Sequence, residues 1–458
     1  MVDASDSDTA SSVESESQFQ YIIDIPEKNH KELCIYRVPP KLRQLNAKAY
    51  TPQLISIGPF HHGKPQFKVM ETQKKRYYHE FLERIKSERS NFDEFKVNYF
   101  KRMLGDIRKC YEEKSNLGDD KFAEMIELDA VFIMEFFLRL TEKDQHKDDY
   151  VMSKPWLTEG ICLDLILLEN QLPIEVLKEL YKFVPEDKEK AKECCTFLDL
   201  ACKCRFFIPC LVCKCFCNDK KNPESQNECQ HMDTKLVKHL TDLLRCFYIP
   251  EKLISVPPKD SYSCILHSAT KLRDSGISFK VVRERCLLHV NFNNRNYIFW
   301  LFSLLTGDKI AKARLELPKL IIDDGTECKL RNLIALEQCH YYPDYMFICN
   351  YVSLIDGLIE TKEDVNFLLG EKVIANYLGS NHAVEKLVNS LCRELVTGRN
   401  YYQEEINELN KHCGDLFNLT MGTLRSVYLK DLWRASSTIV GLAVLAFTFV
   451  NFFRATLK

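Results

Sequence analysis

The chain alternates between long stretches of helical apolar spacing and short stretches of extended patterning. From Gln66 onward, Phe67, Met70, Tyr77, Tyr78, Phe81, Leu82 and Ile85 recur near a 3.6-residue period among Lys, Arg and Glu. That spacing predicts an amphipathic helix. Further helices are predicted over about 93–113 and 119–142. The second holds Met125, Ile126, Leu128, Val131, Phe132, Ile133, Phe136 and Phe137 and should be central. Another is expected over about 159–182, broken or kinked at Pro173. Helical spacing returns at 232–246, 264–274, 328–339, 344–360, 363–370 and 381–396. A long amphipathic helix is expected over about 401–433. Between 277 and 324 the β-branched and aromatic content rises. Ile277–Val282, Cys286–Val290 and Leu315–Ile322 have the pattern of strands. Prolines at 26, 39, 40, 52 and 59 exclude a long helix from residues 19–60, which should be extended and turn-rich. No internal repeat is visible.

The last apolar run differs from the others. Ala435 to Phe453 carries no charge, and at 1.5 Å per residue it would span roughly 28 Å, close to a bilayer core. Trp433 and Arg434 flank one end, Arg454 and Lys458 the other. The expected class is therefore predominantly α (α+β), with a few short strands around 277–324 and one C-terminal transmembrane helix at 435–453. On this reading residues 19–433 form the body, and the lipid bilayer is a partner through the terminal helix. The protein would be single-pass, its body cytosolic, in plasma membrane or endoplasmic reticulum.

Composition adds three constraints. Hydrophobic residues at 45% and charged residues at 28% describe a globular chain. A formal net charge of −2 carries no basic excess, so nucleic acid is not expected as a partner. Residues 1–18 are acidic and serine-rich, without the basic-then-apolar pattern of a secretory signal, and read as a disordered tail. The 20 cysteines would then sit in a reducing compartment, where a disulfide framework is not expected.

Candidate chemistry is sparse. Gly58-Pro59-Phe60-His61-His62-Gly63-Lys64-Pro65 nearly matches a phosphate-binding loop. Pro65 replaces the magnesium-ligating hydroxyl, and both Pro59 and Pro65 lack an N–H. His61 and His62 have no ligand partners at suitable spacing, which favours a turn role over a metal. A cysteine-rich insertion at about 190–230 includes Cys194, Cys195, Cys202, Cys204, Cys210, Cys213, Cys215, Cys217 and Cys229. Cys210-x-x-Cys213 is half a zinc site, and the apolar surroundings also suit S-acylation; an inert thiol-rich loop is the plainest reading. Glu127, Asp129, Glu135, Asp164 and Glu169 lie in apolar helical surroundings, where burial would perturb them. No nucleophile elbow, zincin, dinucleotide or kinase motif is present. No catalytic, cofactor-binding or metal-ligating residue is assigned, and no cofactor is expected.

Several strings, in order, resemble the plant family of unknown function called DUF247, or UPF0481. They are Ile35-Tyr36-Arg37-Val38-Pro39, Pro52 through Gly63, and Met70-Glu71 with Lys74-Lys75-Arg76-Tyr77. Glu127-Leu128-Asp129 with Phe132-Ile133 and Asp164 through Pro173 follow, then Ser268-Ala269-Thr270-Lys271-Leu272. Arg331 through Gln338 and Asn350-Tyr351-Val352 with Asp356-Gly357-Leu358-Ile359 complete the series. The resemblance spans about 34–453. It implies a plant protein, a helical body, a C-terminal anchor and no established catalytic site. Some grass relatives are associated with self-incompatibility, which suggests recognition or signalling.

The expected function is a membrane-anchored, non-enzymatic interaction or recognition protein with unknown protein partners. An enzyme is the alternative, with a polar site where Glu169, Asn170, Arg331 or Glu337 converge; a thiol or zinc sensor is another. In the bland reading, the Leu168–Pro173 string and the Arg331–Gln338 string supply polar groups to buried backbone.

Overall fold

The structure, a computed structural model, describes residues 32–142, 145–185, 196–204, 237–249, 266–282, 287, 289–294, 313–341, 345–415 and 432–456. Most of the cysteine-rich stretch lies outside these residues. Helices α1 (Pro40–Leu45), α2 (Lys68–Arg84), α3 (Arg89–Lys109) and α4 (Asp119–Thr141) come first. They are followed by α5 (Pro155–Asp164), α6 (Ile174–Tyr181), α7 (Phe197–Lys203), α8 (Leu240–Tyr248) and α9 (Ala269–Asp274). After the strands come α10 (Thr326–His340), α11 (Phe347–Leu358), α12 (Lys362–Gly370), α13 (Asn381–Leu391), α14 (Gln403–Gly414) and α15 (Leu432–Thr456).

The chain is mainly helical with few short strands, as the periodicity implies. β1 (Ser278–Val282) pairs in parallel with β3 (Arg314–Pro318), and β2 (Asn291–Asn293) runs antiparallel to β3. β4 (Leu320–Ile322) pairs in parallel with β5 (Ile374–Asn376). The single strand expected over 315–322 is thus two strands, parted at Lys319, each joining a different sheet.

α4 is the most deeply buried helix of the described body. Val131, Phe132, Ile133, Met134, Phe136 and Phe137 are all fully buried, so apolar residues cover its whole circumference. Burying each contributes roughly 1.5–3 kcal/mol. Tyr77 of α2 stacks on Phe132 at 5.2 Å. The three charges this helix buries are matched: Asp129 pairs with Lys74 at 2.6 Å, Glu135 bonds Arg84 and Arg139, each at 2.9 Å, and Arg139 reaches Asp149 at 2.7 Å.

The helix expected over 159–182 is two helices. α5 stops at Asp164 and α6 starts at Ile174 immediately after Pro173, which cannot donate an N–H and disfavours helix at residue 172. Residues 165–173 between them are irregular yet buried, so their backbone groups need partners inside the protein.

At the C-terminus the expectation is corrected. Residues 432–456 do form one helix, α15, of 25 residues. Among the described residues, however, no helix is long and apolar enough to cross a membrane. The transmembrane helix assigned to 435–453 is therefore withdrawn. The described side chains of α15 are exposed, Val444 at 59% and Phe447 at 70% among them. The long helix expected over 401–433 appears as α14, which ends at Gly414; residues 416–431 lie outside the described set.

Candidate functional site

The irregular 165–173 segment organises the N-terminal part of the described chain. Outside α1 and the 3-10 turn Ala47–Tyr50, residues 34–60 are irregular and have no sheet neighbour along most of their length, so side chains supply many of their partners. Asp164 accepts N–H bonds from Gln53 (2.9 Å), Leu54 (2.6 Å) and Ile55 (2.8 Å). Asn170 accepts from the N–H of Ile57 at 2.7 Å and donates to the carbonyls of Ile55 and Asp164. Asp129 of α4 accepts from the N–H of Gly58 at 2.8 Å and from Lys74 at 2.6 Å. Lys74 is fully buried and also donates to the carbonyl of Ser56. Gln171 donates to the carbonyls of Leu165 and Leu167, and accepts from the N–H of Leu240 at 2.9 Å. The polar residues of the Leu168–Pro173 string therefore do satisfy backbone, as their place at a helix break suggests.

This accounts for the rejected phosphate loop in positive terms. The amides of Ile57 and Gly58 face Asn170 and Asp129, so they are already committed to protein acceptors. Gly58 sits at φ +69°, and a Cβ there would lie 2.6 Å from the carbonyl oxygen of Gln171. Only glycine fits.

Glu169 plays a different part. Its side chain is 1% exposed and faces a cleft of about 360 Å³ lined by Arg37, Val38, Pro40, Arg43, Thr51, His61 and Lys64. It accepts the N–H of Val38 at 2.8 Å, pairs with Arg43, and meets Arg37 at 3.2 Å and Nε2 of His61 at 3.1 Å. Burial alone would raise its pKa; the His61 hydrogen bond, Arg43, the Val38 amide and Arg37 outweigh that and hold it down at about 2. Asp164 has no cation beside it among the described residues, and burial pushes it up to about 6 against the pull of three amides. Burial likewise raises Asp129 and Glu135, despite the Lys74 and Arg84 charges beside them. Glu127 is only partly buried and binds Tyr78 and Lys96.

The four residues of the enzyme alternative do not converge. Arg331 of α10 bonds Glu327 at 2.7 Å and Ser390 at 3.0 Å. Glu337 pairs with buried Arg245 at 2.7 Å and accepts the first amides of α11, from Ile348 at 3.1 Å and Cys349 at 2.9 Å. The charge suits the positive end of that helix. Asn332 links Leu168 N–H (3.0 Å) to the Ala49 carbonyl (2.7 Å). Only Glu169 faces the cleft; the residues that accompany it, Arg37, Arg43, His61 and Lys64, were not grouped by sequence reasoning. Arg37 and His61 lie inside the shared strings, but nothing in linear spacing signals that they meet Glu169.

Of the cysteine cluster, only Cys202 and Cys204 are described, both buried, and no group that could hold a metal occurs among the described residues. Cys194, Cys195, Cys210, Cys213, Cys215, Cys217 and Cys229 lie outside that set.

A buried polar frame that pins an extended N-terminal segment to a mainly helical body, with one cationic cleft beside it, is the architecture to be placed. The family model for DUF247, a plant protein of unknown function, matches residues 35–447, and the chain belongs to that family. It is similar to UPF0481 protein At3g47200 of Arabidopsis thaliana, at 28% identity covering 91% of this chain and 85% of that protein. It also resembles the putative UPF0481 protein At3g02645 of the same plant, at 22% identity covering 92% and 90%. No solved structure matches.

Proposed function

We propose that this plant protein is a non-catalytic recognition protein whose contact surface includes the Arg37–Lys64 cleft. The observation that supports this reading is the assignment of the buried polar groups. Asp129, Asp164, Asn170, Gln171, Asn332 and Glu337 are each occupied by backbone or by a buried cation. None of them is paired with a nucleophile in a cavity, which catalysis by general base or covalent attack requires. The cleft, by contrast, presents charged side chains to solvent, with Arg37 at 38% and Arg43 at 30% exposed.

The test is crosslinking in plant cells followed by affinity purification of the full chain and of Lys64→Glu. Lys41→Glu, outside the cleft, serves as the charge control. The expected result is a reproducible partner set that Lys64→Glu loses and Lys41→Glu keeps, with unfolding midpoints unchanged. Substrate turnover that disappears in a folded Glu169→Gln variant would instead establish the enzyme reading.

A further inference from the structure

The cleft carries more positive charge than its own carboxylate neutralises. Arg37, Arg43 and Lys64 line it, with Glu169 the carboxylate in the lining; from outside the lining Glu113 meets the Nε edge of Arg37 at 2.5 Å and Glu112 accepts the Arg37 backbone N–H at 2.7 Å. Lys64 has no carboxylate within ion-pair range among the described residues. Its Nζ lies 2.8 Å from Nδ1 of His61. With the His61 proton placed on Nε2 toward Glu169, the Nδ1 lone pair accepts from the ammonium. The remaining ammonium hydrogens have no protein acceptor among the described residues. Partial burial lowers the Lys64 pKa, Arg37 and Arg43 add to that, and Glu169 opposes them.

We propose that the cleft binds a phosphoryl group carried on a small organic ester. Three cations reach it from three directions. Arg37 comes from the extended segment, Arg43 from α1, and Lys64 from the turn after Gly63, whose φ is +77°. Two planar guanidiniums and one point charge around a common space suit a tetrahedral group with three free oxygens better than a planar carboxylate with two. The 360 Å³ volume exceeds what a bare phosphate fills and falls in the range of small-ligand pockets, leaving room for the ester's organic part. A purely structural clamp on Glu169 would need Arg43, His61 and Arg37. It would not need Lys64, which pairs with no carboxylate among the described residues.

The inference rests on the recognition reading. It is tested by titration calorimetry of the full chain at about 50 mM salt, where screening is modest. The probes are glycerol phosphate, inorganic phosphate, a phosphoserine peptide and acetate. Saturable 1:1 binding of glycerol phosphate is expected, with no acetate binding over the same range. Lys64→Met should weaken it at least ~10-fold, the effect of losing one charge-assisted contact. Lys41→Met, at 80% side-chain exposure outside the cleft, should change it less than about twofold. Unfolding midpoints without ligand should match across the variants. No saturable phosphate binding, equal affinity for acetate, or equal loss in both lysine variants would overturn the proposal. So would a phosphoserine peptide that binds far more tightly than the ester, since the source would then be a modified protein. If phosphate fails while Lys64→Glu still loses its cellular partners, the recognition reading stands without this ligand.

Discussion

Asp164 and Glu169 sit five positions apart at the two ends of one buried turn, and they work in opposite ways. Asp164 is a carboxylate turned inward: three consecutive amides bind it, and no cation among the described residues pairs with it. Glu169 is equally buried but meets Arg37 and Arg43, whose side chains reach water, together with the buried His61. Burial dominates at the first, and its pKa rises to about 6; the charges dominate at the second, and its pKa falls to about 2. The first end fixes the backbone of Gln53–Ile55. The second fixes Val38 and gathers a charged cleft. Burial alone therefore does not identify a functional carboxylate; the partners it has decide the role.

The contrast is sharpest under truncation. Asp164→Ala leaves three amides without acceptors, each costing about 1–3 kcal/mol, and should destabilise the protein by about 4 kcal/mol in urea unfolding. Glu169→Ala leaves one amide, that of Val38, without its acceptor, while Arg37 and Arg43 can turn to solvent, and should cost about half as much. Equal losses would erase the distinction.

Acid titration probes the same pair with opposite signs. The folded pKa of Asp164 is raised, so its contribution is complete below about 3.8 and is lost as pH rises through about 6, about 3 kcal/mol in all. The folded pKa of Glu169 is depressed, so its contribution is complete above about 4.5 and is lost as pH falls toward about 2, by a similar amount. Unfolding free energies measured from pH 7 to 2 should show a maximum at about pH 4, where the two windows overlap. Glu169→Gln should flatten the acid limb and leave the limb between pH 4 and 6 unchanged.

Gly58 tests how tightly the two ends are joined. Its left-handed backbone and the 2.6 Å approach of a built Cβ to Gln171 mean that Gly58→Ala should cost about 2–3 kcal/mol. A near-neutral result would show that the extended segment can shift freely over the turn. The smallest effect belongs to Lys64→Met, expected within about 0.5 kcal/mol of the parent, because Lys64 has no ion-pair partner among the described residues. A large loss would move Lys64 from the binding face into the structural frame.

Much of this frame was legible in the sequence. The density of apolar residues from Met125 to Phe137 identified the central helix, now α4, because so many large apolar side chains on one helix have to be enclosed. Pro173 announced the break between α5 and α6. The polar residues beside it pointed to backbone satisfaction, which Asn170 and Gln171 provide. The apolar run at 435–453 gave the helix but not its environment; spacing reports a helix, and the apolarity of the described α15 does not meet what a bilayer requires. The split of 315–322 into two strands also escaped, because the choice between sheets depends on β1 and β5, distant in sequence.

By itself, then, the sequence determined the helical period, the break at proline and the set of polar residues available for burial. These are local consequences of side-chain spacing and backbone chemistry. Only the tertiary structure decided which polar residues meet. Arg37 and His61 are more than 100 positions from Glu169. Their encounter depends on an extended segment being laid across a turn, and no periodicity along the chain encodes that pairing.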